Sequence, residues 1–440
     1  MIRVLIVLTL ALGPLQWITL ADVGLTLKPV HIPFFALAII GWLHAGSRRV
    51  ERAEIRSVAP FAMFYSCYIA LMLLSAFYNG TGFIYVMKLL VYFLASAGFF
   101  FALLRIGRQQ ALSAVMTGGL LSAVLFFAVA SITLQLRGIN IFAVVGSAVQ
   151  SGNPSFLQFM IFRNVFNAPG VSSEDAVGVA LRHTSLGFIF IGGVVALAAS
   201  RGSRLAAAGA MFSILIILVS VSRSLILAYA IALIPAGLAL LRGHPRGFAA
   251  LTLGAGLILI TLFIVLQPDL GGIGTILSER FGSFDEDGRV GMYGYALNEI
   301  NNRAFLGYGP GYEFEHGSAK THQAHNIFLG AWMQGGYLCL LTAIGFMASL
   351  MFMYFRSMLL TFGSVQNVLL LGLLVLPLFR SQLSGGGGNF TLAEWICIAV
   401  AVAIAVPSAH RPKHLQDRVS GTGRQPPLGA LHDVTSPHLR

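Results

Sequence analysis

Charge is what this sequence has least of. Asp, Glu, Lys and Arg make up 10% of its 440 residues, against about 25% in an ordinary soluble domain, and its mean hydropathy is +0.81. So few charges cannot cover a water-facing surface, which excludes a soluble globular fold. Acidic residues are scarcer than basic ones: 16 Asp and Glu stand against 28 Lys and Arg, a net charge of +12. Cysteine is scarce as well. Cys67, Cys339 and Cys397 all fall in apolar runs, where a thiol behaves as a small apolar side chain, and no disulfide framework or zinc spacing can be drawn through them. A regular alternation of strand and helix patterns is also missing, which argues against an α/β domain.

Long apolar runs are abundant. A spanning helix needs roughly 20 mainly apolar residues to cross about 30 Å of hydrocarbon. Such runs occur at Val4–Leu20, Val30–Leu43, Pro60–Tyr78, Phe83–Leu104, Ala111–Leu136, Leu186–Ala199, Leu205–Val221, Leu225–Leu241, Phe248–Leu266, Ile327–Phe355, Leu359–Phe379 and Leu392–Val406. They predict an all-α polytopic membrane protein with about twelve transmembrane helices over residues 1–407. A basic tail, residues 408–440, rich in Pro, Gly and Ser and poor in large apolar residues, reads as disordered. Residues 1–20 have the look of a signal peptide but are read as a retained first span, because many others follow.

Placement of the charges orients the chain. With the amino terminus inside, alternate loops hold Arg48, Arg49, Arg52 and Arg56, then Arg105 and Arg108, Arg201 and Arg204, Arg242 and Arg246, and Arg356. All are short and basic, the form in which the positive-inside bias is most informative. Both termini are then cytoplasmic, with 17 basic and 4 acidic residues inside and 11 and 12 outside. The basic excess records orientation and is no sign of nucleic acid. The opposite face has two long loops, residues 137–184 and 267–325, of mixed charge. Loops beyond about 15 residues usually have a function, so the working surface is expected there.

Three features of that face carry candidate chemistry. Arg223, in Val221-Ser222-Arg223-Ser224, is either an arginine snorkelling from a helix end or an anchor for an anion, whose oxygens its planar fork binds in pairs. The second long loop has Asp285-Glu286-Asp287-Gly288-Arg289, then an amphipathic stretch from Met292 to Asn302 with Met292, Tyr295, Ala296, Leu297 and Ile300 at helical spacing. Gly307-Tyr308-Gly309-Pro310-Gly311 follows, a run of turn formers that lets backbone approach a ligand. The loop ends in Thr321-His322-Gln323-Ala324-His325-Asn326. His325 reads as a general base for a hydroxyl nucleophile or, with Asn326, as a polar pair capping the next helix. The acidic triplet suits a solvated turn better than a metal, and His322 with His325 offers no obvious third ligand.

Together these stretches resemble the O-antigen ligase and O-antigen polymerase family of bacterial inner membranes. The resemblance rests on SVSRSLILA around Arg223, GRVGMYGYALNEINNRAFLGYGPGYE from Gly288 to Glu313, and HQAHNIFLGAWMQGGYLCLL from His322 to Leu340, in that order. It implies about twelve spans and a periplasmic site. The reaction it implies is transfer of a glycan from undecaprenyl diphosphate to a hydroxyl acceptor, which is lipid A core or a growing polysaccharide chain, with no cofactor and no metal. By the same resemblance Arg223 and Arg289 match the arginines that hold the lipid diphosphate, and His325 matches the essential histidine. Arg303, His322, Asn326, Tyr308 and Gly309 are expected at the substrate. One departure concerns the glycine turn, before which family members often have Asn-Pro or His-Pro; here the chain reads Asn302-Arg303-Ala304, making Arg303 a candidate third phosphate contact. Another is His183, which takes no role. The alternative from a different class is a secondary transporter or flippase for lipid-linked glycans. It is disfavoured because the runs carry almost no mid-span charge apart from Lys88, whereas transporters place charged or broken-helix sites near the midplane.

Overall fold

The computed structural model describes residues 1–16, 18–22, 26–47, 52–136, 185–200, 203–219, 223–243, 289–316, 320–322, 326–384 and 390–405, with a few single positions between 140 and 150. The expected ninth run, Phe248–Leu266, the tail 408–440, and nearly all of the loop 137–184 lie outside the described residues.

The described chain is mostly helical: α1 (Ile2–Ala11), α2 (His31–Ser47), α3 (Arg52–Asn79), α4 (Phe83–Ile106), α5 (Arg108–Leu136), α6 (Ser185–Ala199), α7 (Arg204–Val219), α8 (Arg223–Gly243), α9 (Arg289–Asn302), α10 (Ile327–Thr361), α11 (Val365–Leu371), α12 (Val375–Ser384) and α13 (Leu392–Ile404). Four of them contain stretches long and apolar enough to cross a membrane, namely Ser57–Asn79, Phe83–Ile106, Arg108–Ile132 and Ile327–Thr361. Seven more apolar helical stretches are 10–17 residues long. The chain is therefore consistent with a membrane protein.

Several sequence expectations change. Instead of filling Val4–Leu20, α1 stops at Ala11 and passes into a single 3-10 turn, Gly13–Leu15, with Pro14 at its start. A Cβ on Gly13 would lie 2.4 Å from the Phe188 ring of α6, so the chain bends where another helix presses on it. A short antiparallel pair, β1 (Ala21–Asp22) and β2 (Thr26–Leu27), follows. Arg52 and Arg56, expected in a loop, form the first turns of α3. The separate runs Ile327–Phe355 and Leu359–Phe379 are divided elsewhere, because α10 continues through Arg356 to Thr361 and a 3-10 turn, Gly372–Leu374, joins α11 to α12. Pro60 in α3 and Pro235 in α8 are carried inside helices, which membrane helices tolerate because neighbouring groups satisfy the freed carbonyl.

Packing follows chain order only in part. α2 lies along α4, α3 along α10, and α5 along both α1 and α6, while α8 packs against α11 and α12. In lipid, helices associate through close packing and not through the hydrophobic effect, so small residues let backbones meet. Such contacts occur at Gly41 on Gly98, between α2 and α4, and at Gly119 on Gly192, between α5 and α6. Larger side chains fill the centre of the bundle. Tyr65 meets Trp395 edge-on at 5.0 Å and Phe346 at 5.1 Å, burying ring area that dominates core packing. Glu394 is buried and closes the capping box of α13, accepting from the Thr391 backbone N–H at 2.6 Å. At one end of the bundle, Arg108 donates to the Asn367 side chain, so the α4–α5 turn meets the α10–α11 connection. At the other end the α3–α4 turn meets the segment described next.

Candidate functional site

The second long loop is not structureless. Its helix α9 buries Ala296 and Ile300 against Phe314 and Met333, a spacing of four that places both on one face. Tyr295 and Leu297, expected on that face, point outward instead and are about half exposed, because successive positions around a helix diverge by about 100°. Beyond the glycine turn, β3 (Phe314–His316) pairs antiparallel with β4 (Lys320–His322). This hairpin escaped the sequence reading because three-residue strands leave no alternation to detect.

The turn itself forms without the expected proline. Arg303 N–H donates to the Ile300 carbonyl at 3.1 Å and Gly307 N–H to the Arg303 carbonyl at 3.1 Å; a proline at 303 would forfeit the first of these bonds. The turn then docks on a break in α10. Gly336 adopts φ 78° and ψ −173° inside that helix, a region open essentially to glycine alone. The carbonyls released there are taken by the turn: Tyr308 N–H donates to Met333 at 2.9 Å and Gly309 N–H to Gln334 at 3.0 Å, while Tyr337 N–H donates back to Ala304 at 2.9 Å. Every buried backbone group at such a break needs a partner, and these three bonds supply them across two segments.

The α3–α4 turn closes the other side. Ser75 Oγ lies 2.8 Å from both the Leu306 and Gln334 carbonyls. A Cβ on Gly309 would lie 2.9 Å from Thr81, and one on Gly82 2.3 Å from the Pro310 carbonyl. The backbone approach that the glycines permit is thus to protein, and the amides of Tyr308 and Gly309 are engaged by α10. What Tyr308 presents outward is its half-exposed ring. It stacks on Tyr312 at 4.3 Å with 13° between the planes, and the Arg303 guanidinium sits over its ring at 5.0 Å, a favourable placement for a cation. Partial burial, then the neighbouring Glu299, push both phenols up from their ordinary pKa, so they remain protonated near neutral pH. Tyr308 donates to the Glu299 carbonyl and Tyr312 to its carboxylate.

Arg303, Tyr308 and Gly309 are therefore brought into one body with the start of α10. Asn326 caps that helix, its side chain accepting from the Phe328 and Leu329 N–H groups at 2.9 and 3.2 Å. This is the capping role read from sequence. Asn326→Ala should cost about 1 kcal/mol, seen as a lower unfolding midpoint in detergent, and an unchanged midpoint would count against the cap. Arg289 opens α9, Arg223 opens α8 and His322 ends β4; their side chains lie outside the described residues. So do His325, His183 and the acidic triplet Asp285–Asp287 in their entirety.

Residues 186–344 match the family described as O-antigen ligase. This segment resembles an O-antigen ligase domain. It runs from α6 into α10 and includes every residue proposed above for the site, from Arg223 to Asn326. At that level the match supports glycan transfer of the ligase and polymerase kind, and the apolar helices are consistent with a membrane protein. No curated protein matches the chain. The ligase domain does not stand alone, since Ser75, Asn79, Thr81 and Gly82, which hold its glycine turn, precede it by more than a hundred residues. Motif reading missed them because α3 and α4 carry no family signature; only the three-dimensional contact reveals them.

Proposed function

We propose that this protein transfers a glycan from undecaprenyl diphosphate to a hydroxyl acceptor at the periplasmic face of a bacterial inner membrane, without metal and with inversion at the sugar carbon. The observation that carries the reading is the ligase-domain match over the stretch in which Arg223, Arg289 and His325 occur in family order. Two further observations support it. Arg223 and Arg289 stand at the start of α8 and of α9 as described, and the positive end of a helix dipole favours anions. The α3–α4 turn, the glycine turn and the start of α10 share one end of the bundle, as they do in the orientation derived from the basic loops, with both termini cytoplasmic and the shorter apolar helices completing the set of spans.

In the proposed step, the acceptor oxygen attacks the anomeric carbon as the bond from that carbon to the diphosphate oxygen breaks. His325 takes the hydroxyl proton, and undecaprenyl diphosphate departs. Charge rises on the departing oxygens, so fixed cations aimed at them lower the barrier; Arg223 and Arg289 fill that role, with Arg303 as a third contact. His322, Tyr308 and Asn326 line the approach. The lipid carrier enters sideways between helices.

Purified protein incubated with a lipid-linked glycan, with and without lipid A core, tests this directly. Transfer that requires core identifies a ligase, chain growth without it a polymerase, and no covalent product with either would overturn the reading. Chelator should leave the rate unchanged. A strict Mg²⁺ requirement would instead assign work to Asp285–Asp287.

A further inference from the structure

Arg303 is exposed, and a long side chain in water samples many rotamers, whose freedom is lost when it is fixed. Here it is restrained from two sides. Its planar group lies over the Tyr308 ring, and Nη1 donates to Asn79 Oδ1 at 3.2 Å. Asn79 belongs to the last turn of α3, outside the ligase domain.

The orientation of the Asn79 amide is itself determined. Nδ2 donates to the Ser75 carbonyl at 2.9 Å, with further approaches to Ser75 Oγ at 3.3 Å and the Gly307 carbonyl at 3.4 Å. Two of these partners are carbonyls, which only accept, so the NH₂ group must face them and the oxygen must face Arg303. One amide therefore ties the end of α3, the glycine turn and the guanidinium together. A single Arg303 N–H is spent on it, and the guanidinium has five.

We infer that Asn79 is a positioning residue for Arg303, holding the guanidinium over the Tyr308 ring with its remaining donors directed to a diphosphate. The inference rests on the reading of Arg303 as a phosphate contact. It assigns to α3 a part in donor recognition. Preorganisation of this kind raises affinity by reducing the rotamer entropy lost on binding, and it acts only on ligands that carry the anion.

The test measures binding of undecaprenyl diphosphate and, separately, of undecaprenol to the full-length protein in nanodiscs. Wild type is compared with Asn79→Ala, Arg303→Ala and the double variant. Arg303→Ala should weaken undecaprenyl diphosphate about tenfold and leave undecaprenol unchanged. Asn79→Ala should weaken the diphosphate lipid roughly three- to fivefold, again without effect on undecaprenol, and the double variant should be no weaker than Arg303→Ala alone. Additive losses in the double variant would overturn the inference, as would wild-type diphosphate binding by Asn79→Ala. Equal losses for both lipids would make Asn79 a merely structural clamp and overturn it too. Wild-type binding by Arg303→Ala would remove the premise along with the inference, and so separates failure of the Arg303 reading from failure of the Asn79 link.

Discussion

Replacing His325 with alanine should lower glycan transfer by about 10²-fold or more while the protein remains in the membrane at its normal level. A positioned general base contributes typically 10² to 10⁴ in rate, because the hydroxyl nucleophile must shed its proton as the bond forms. Arg223→Ala and Arg289→Ala should give losses of similar size, since removing one donor aimed at developing negative charge costs about 10² to 10³. The kinetic form of the losses should differ. For His325 the fall belongs in kcat, because the base acts on the acceptor proton only in the transition state. For the arginines it should be divided between kcat and the KM for the lipid donor, because a diphosphate is charged before the reaction as well as during it. Transfer assays on matched membrane fractions read these quantities, and near-normal transfer in all three variants would sink the assignment of the site.

The second large effect should come from a residue that touches no substrate. Gly336→Ala places a methyl group 1.8 Å from the Phe305 carbonyl, at a residue with φ 78°. The backbone strain alone is of order 1–3 kcal/mol, and the clash is with backbone, which cannot rotate away. Relief requires the glycine turn to leave α10, which would cost the Tyr308, Gly309 and Tyr337 hydrogen bonds together. Loss of activity beyond 10²-fold is expected, since displacements near 1 Å at a positioned group have effects of that size. New protease sensitivity should appear within residues 303–312. A variant with wild-type digestion and transfer would show that the turn tolerates another docking.

How far the sequence foretold this arrangement depends on the range of the interaction involved. The long apolar runs were legible because a helix satisfies its own backbone, and α4 and α5 lie close to their expected limits, while α3 matches only at its end. Asn326 was legible as a cap because its bonds reach only two and three residues ahead. The end of α1 was not, since the chain bends at Gly13 beneath Phe188, some 175 residues later in the sequence. Nor was the Ser75 and Asn79 clamp, whose partners lie between 224 and 259 residues away. The glycine turn falls between these cases: its residue types announced a close approach but could not say to what. The ligase motifs named the segment that the family match covers, while the groups that hold its glycine turn in place come from helices with nothing distinctive in their composition.

The break at Gly336 also fixes a depth. Residues 337–361 of α10, at about 1.5 Å each, extend roughly 37 Å, a little more than the hydrocarbon layer. Their outward side chains include Leu338, Leu341, Ile344, Met351, Phe352, Phe355, Leu359 and Leu360, an oily exterior along most of that length. With residues 337–361 across the hydrocarbon, the portion of α10 before the break would fall at the boundary between tails and headgroups; there Trp332 and Tyr337 meet edge-on at 6.3 Å, residue types common at that level. The glycine turn, Arg303 and the exposed Phe305 ring are fastened to this same portion. If the donor is a polyprenyl diphosphate, as proposed, its phosphates would meet the protein at that height without leaving the bilayer.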